Sequence, residues 1–209
     1  MHVDSSLMSL ALHVGRMTAA DLDLPAVLQQ LCSALPISAG GAAAVIMLAE
    51  PPDVAPALVV ATDAKARWIG EAQRRAGSGP LPGVIRSGRP LFTPDLTRIG
   101  PPEVAAAAAE SGLTSSLVVP LAAADERYGG LQLLGSARRP VEAAQADVVR
   151  PLLEVLVARL VDVRALRGHT ITPIPVRAAR VDPGDVATTA IPVVPRPRRP
   201  EERAARHRR

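Results

Sequence analysis

Aromatic residues account for only 1% of this sequence, with Trp68, Phe92 and Tyr128 occurring once each. The chain is nevertheless 48% hydrophobic, so its core has to be assembled from Ala, Val, Leu and Ile. Asparagine is absent and Lys65 is the one lysine, which leaves arginine to carry nearly all of the positive charge. Cys32 stands alone. A single cysteine excludes an intramolecular disulfide and a thiolate metal cluster, and it reads here as a small buried hydrophobe on a helix. His2, His13, His169 and His207 fall nowhere near one another in a metal-ligand spacing. No stretch approaches the roughly 18 apolar residues of a membrane span, and the first residues lack the basic and apolar regions of a secretory signal. These absences predict a cytoplasmic protein with no membrane association.

What is present divides unevenly. The 209 residues carry a formal charge of +4, yet from Arg167 onward ten arginines face four acids, so the remainder is slightly acidic. The basic character belongs to the C-terminal stretch, and a pI near 10.4 says little about the rest. Residues 169–209 are rich in Pro and Arg, show no stable periodicity and cannot bury enough apolar surface to offset ordering. They are expected to form a disordered tail following a domain over 1–168. The tail holds two similar segments, TITPIPV (170–176) and TTAIPVV (188–194), which makes Thr170, Thr172, Thr188 and Thr189 candidate phosphorylation positions.

Periodicity organises residues 1–168. Helical spacing covers 5–20 and 23–35, the latter opened by Asp23 and Pro25. AAAVIMLA (42–49) and ALVVAT (57–62) read as a hairpin across PPDVAP. Helical spacing returns over 64–76 through Trp68, Ile69, Ala72 and Ala76, and stops at Gly77. RPLFTP (89–94) has strand character, Pro101 and Pro102 open a helix that Gly112 closes, and 115–122 and 128–136 form two strands joined by AADER. A long helix runs from about 141 to 166, and Pro151 inside it should kink it or start a new one. Regular strand-helix-strand alternation is missing, which argues for an antiparallel sheet with helices on its faces. The predicted class is α+β.

GSGPLPGVIRSGRPLFTPDLTRIG (77–100) looks at first like a phosphate loop. Such a loop needs backbone N–H groups after a strand, and this one follows a helix and contains Pro80 and Pro82, which have none to offer. The Gly spacing and the missing Walker lysine agree, so the nucleotide loop fails on chemistry. Asp95, beside Pro94, reads as a turn or helix cap. Another pattern fits. Gly79-Pro80, Gly88-Arg89-Pro90, Asp95-Leu96, Gly112, Ser116, Val119-Pro120-Leu121 and Gly129, in that order, resemble the GAF domain of bacterial sensory proteins. The resemblance covers about residues 10–165. It implies an antiparallel sheet of five or six strands, a short helix after Gly79-Pro80, and N- and C-terminal helices packed together on one face. It also implies a small-molecule pocket on the other face, lined here by Trp68, Ile69, Phe92, Thr93, Ser116 and Gln132. Trp68 and Phe92 could equally fill a core short of bulk, and Gln132, which interrupts an apolar strand, is either solvent-facing or a buried group with a partner.

The residues speak against several chemistries of that family. A haem would want a histidine in the pocket, and 14–168 hold none. A bilin would usually want a cysteine near the pocket, and Cys32 lies on the second helix. The cyclic-nucleotide signature begins with Asn-Lys, which a chain without asparagine cannot supply. The free methionine sulfoxide reductases of this fold need several cysteines. Ser115 and Ser116 have no histidine nearby in sequence, and Asp125-Glu126 reads as a solvated hairpin tip. The expectation is therefore a non-enzymatic sensory module, a homodimer through its terminal helices, that binds a small ligand and signals to a partner protein. The alternative is a ligand-free dimerisation platform whose basic tail docks a partner or makes weak, non-specific polyanion contacts.

Overall fold

The computed structural model describes residues 5–18, 23–50 and 55–168. The 169–209 segment, with its four candidate threonines and its arginines, lies outside the described residues, as does the PPDV stretch at 51–54 where the sequence predicts a turn. The elements in order are α1 (Ser5–Arg16), α2 (Leu24–Ser38), β1 (Ala43–Glu50), β2 (Ala55–Ala61), α3 (Ala64–Ala76), α4 (Pro80–Ser87), β3 (Leu91–Thr93), a short 3-10 turn (Leu96–Arg98), α5 (Pro102–Ser111), β4 (Leu113–Ala123), β5 (Glu126–Ser136) and α6 (Gln145–Gly168). The five strands form one antiparallel sheet in the order β2-β1-β5-β4-β3. The class is α+β, as the periodicity predicts.

The helix ends follow local chemistry. Asp23 caps α2 by accepting from Ala26 N at 3.2 Å, and Asp63 caps α3 by accepting from Ala66 N at 2.9 Å. Gly77 and Gly112 take the left-handed conformation that closes α3 and α5. The helix containing Pro151 runs from Gln145 to Gly168, so of the two expected outcomes this proline does not start a new helix. Two details differ from expectation. That helix begins later than 141, because the Gln145 side chain accepts from Glu142 N at 2.7 Å and donates to Ala39 O at 2.7 Å, holding the residues before it in turns. Finally, β4 and β5 extend inward along AADER until Ala124 and Asp125 alone make the turn, with Ala124 at φ 49°.

The sheet has two covered faces. On one, α1, α2 and α6 pack over Ala44, Ile46, Leu117, Leu131 and Leu133 of the sheet, with Leu28 and Leu35 of α2 in the same core. On the other, α3, α4 and α5 pack over Val45, Met47, Val118 and Leu134. Strand periodicity explains the split, since successive residues of β5 point to opposite faces. β5, the middle strand, is buried from Tyr128 to Gly135. The two glycines at its start let neighbours approach closely: a Cβ on Gly129 would lie 2.2 Å from Met47 O, and one on Gly130 would lie 2.9 Å from Leu81 of α4. Among the described residues no helix is long and apolar enough to cross a membrane.

Candidate ligand-binding site

Within the aliphatic α3–α5 face runs a line of buried polar side chains. It starts at α4. Pro80 and Pro82 contribute no N–H, and Gly83 N is committed to Gly79 O at 2.9 Å, so Leu81 supplies the free donor of the first turn. Leu81 N donates to Gln73 Oε1 at 2.9 Å. That backbone donor fixes the direction of everything beyond it, because an N–H can meet only an amide oxygen. Gln73 Nε2 then donates to Gln132 Oε1 at 2.8 Å, and Gln132 Nε2 donates to Ser116 Oγ at 2.7 Å. The Ser116 hydroxyl, having accepted, keeps a proton to give. Its cross-strand neighbour is Thr93, 1% exposed, whose Oγ1 has no hydrogen-bond partner. Directly paired residues of adjacent strands share a face with Cβ atoms about 5 Å apart, so the orphaned hydroxyl stands beside the end of the line.

Of the six residues expected around a pocket, Ile69, Thr93, Ser116 and Gln132 share this face and are buried. The two aromatics do not join them. Phe92 pairs with Leu117, which belongs to the core under the terminal helices, so it projects from the opposite face and is 38% exposed. Trp68 lies on the outer side of α3 and is 40% exposed. Neither fills the core. Gln132 is the buried polar residue with partners, not a solvent-facing one. Sequence reasoning missed Gln73, although a signal existed: it stands four residues after Ile69, on the buried stripe of α3.

Other candidates resolve into structure. Asp95 accepts from Thr97 N at 3.1 Å and Thr97 Oγ1 at 2.6 Å, capping the 3-10 turn, and the Thr97 hydroxyl holds its carboxyl below the usual range. Ser115 Oγ accepts from Val141 N at 3.1 Å. Glu126 is not merely a solvated tip. Tyr128 donates to it at 2.5 Å and Arg164 at 3.3 Å while stacking on the Tyr128 ring, and the Tyr128 bond is the main reason its carboxyl lies below the ordinary range. Among the described residues no group of three His, Cys, Asp or Glu is placed to hold a metal ion. A surface cleft of about 360 Å³ between α6 and β4 is lined chiefly by Pro90, Val119, Pro120, Leu153 and Val157.

Cys32 is fully buried in α2, its Sγ 3.5 Å from Val60 O, and burial pushes its thiol up to about 12. A thiolate is the reactive form. Native protein at pH 8 is therefore expected to resist a thiol reagent for hours and to react at once in denaturant. Fast labelling without denaturant would show that α2 opens readily.

The fold and its covered faces are those of a GAF domain, and the GAF domain family matches residues 21–158. The chain belongs to that family. No curated protein sequence matches it. Among solved structures, it is similar to the free methionine-R-sulfoxide reductase of Neisseria meningitidis, solved in complex with its substrate, at 17% identity and TM-score 0.55, over 78% of this chain and 91% of the reductase. It is similar to the GAF domain of the cyanobacteriochrome TePixJ at 19% identity and TM-score 0.51, over 72% of this chain and 97% of that domain. A GAF domain/HD domain protein from Geobacter sulfurreducens aligns at 17% identity and TM-score 0.50, over 73% and 96%. At such identities the likeness is one of fold. The fold serves sensing in many of its members and catalysis in the reductase.

Proposed function

We propose that this chain is a non-catalytic regulatory GAF module that binds a small molecule on the α3–α5 face and passes the event to its terminal helices. The observation that carries this reading is the unpaired Thr93 hydroxyl at the end of a buried polar line. An orphaned buried hydroxyl costs stability, and a binding face is where such a cost has a use. A lone, deeply buried thiol with its pKa pushed up to about 12 supports the absence of reductase chemistry. Met8 and Leu12 on α1, with Val148, Val161 and Leu166 on α6, are exposed apolar side chains that suit pairing with a second copy, after which a partner protein would read the helices.

Native mass spectrometry of freshly purified full-length protein should find a dimer and a co-purifying small molecule, and that molecule should raise Tm. In Thr93→Val the isosteric methyl removes the orphan, so the apo protein should gain about 1 kcal/mol while losing ligand-dependent stabilisation. A monomer with no bound mass, unmoved by any metabolite, would leave this reading without support.

A further inference from the structure

We propose that the Gln73 carboxamide is a displaceable stand-in for the ligand, and that the ligand is a neutral small molecule carrying a carboxamide of its own. The inference rests on the reading that the α3–α5 face binds a small molecule, and it names what that molecule must present. Without Gln73 the seat keeps the Leu81 N–H, a fixed donor, and the Gln132 amide, which in the orientation held by the line presents the acceptor Oε1. Their complement is an acceptor and a donor on one carbon. A carboxylate would require the Gln132 amide to turn over and would bury its charge without a cation among aliphatic side chains, and a ketone would leave Gln132 Oε1 unpaired there. A phosphate is excluded as well, because an anion at a helix N-terminus depends on several free N–H groups and prolines remove two of them from the first turn of α4.

The seat is built so that its occupant can leave. Gln73 reaches it on a flexible side chain, against Gly79 at φ 118°, where a Cβ would stand only 3.1 Å from Gln73 Cγ and Oε1. The packing beside it is aliphatic and close: Ile69 one turn before Gln73, Leu81 on α4 and Val118 paired with Gln132 are fully buried. Beyond Gln132 and Ser116 the unpaired Thr93 hydroxyl offers one more hydrogen bond, which Gln73 leaves unused. A ligand with a carboxamide at one end and a second polar atom toward β3 would satisfy the whole line.

The test uses the full chain and three probes of equal size: acetamide, acetone and acetate. In the wild type, acetamide should shift the NMR signals of the Leu81 N–H and the Gln73 side-chain amide together and saturably, whereas acetone and acetate should not. Gln73→Ala should bind acetamide about ten-fold more tightly, since the competitor for the seat is gone, with the same preference over the other two probes. Gln73→Met, which refills the space without hydrogen bonds, should not bind it. Rescue of Gln73→Ala with no shift in the wild type would make Gln73 a permanent structural plug and overturn the proposal, as would equal response to the three probes. If Gln73→Ala does not fold, the wild-type titration decides alone. A metabolite that stabilises the wild type without moving the Gln73 signal would overturn this inference while leaving the ligand-binding reading standing.

Discussion

Gly129→Ala is expected to be the most damaging single-methyl change in the domain. The new Cβ would sit 2.2 Å from Met47 O and 3.0 Å from Leu48 Cα, and the backbone at φ 151° is one that side-chain-bearing residues rarely adopt. Gly129 lies in the middle strand and pairs with Leu48 on one side and Leu121 on the other, so neither neighbour can retreat without opening a second ladder. Backbone strain and overpacking together should cost about 4 kcal/mol or more. In a domain of this size Tm should fall by about 10 °C, read by thermal unfolding. A fall of one or two degrees would mean that β1 and β5 are held less closely than described.

Gln132→Ala should come next. It removes an acceptor from Gln73 Nε2 and a donor from Ser116 Oγ, and it leaves a hole in a face that is otherwise filled. Lost packing and stranded polar groups sum to about 3–4 kcal/mol. The more discriminating measurement is a double-mutant cycle by urea unfolding with Gln73→Met and Gln132→Met. Each single change strands the partner's amide, whereas the double change removes both, so it should cost about 1–2 kcal/mol less than the sum of the two. Additive costs would mean that the two amides do not bond to each other.

The framework of the domain was open to sequence reasoning because its signals are local. Asp23, Asp63, Gly77 and Gly112 punctuate helices within a turn of where they stand, and the apolar runs of β1, β4 and β5 are too long to be loops. The helix α4 was not legible by periodicity, since PLPGVIRS contains two prolines and a glycine and reads as a turn; only the family resemblance supplied it. The site divides in the same way. Gln132 announced itself as a polar residue in an apolar strand. Its partner Gln73 did not, because it is followed by Arg74 and Arg75 and lies near Glu71, as a surface glutamine would. Trp68 and Phe92 drew attention by size, yet which side of a strand or helix an aromatic occupies depends on packing partners distant in sequence.

The tight crossing of β5 over Met47 also restricts how this sheet can move. Sliding β5 along its neighbours by two residues, the smallest step that keeps its faces in place, would bring Arg127 or Leu131 to the point where only a hydrogen atom fits. The strand is notched into position. Displacement of β5 within the sheet is therefore confined to tilt or twist, with its lengthwise travel blocked.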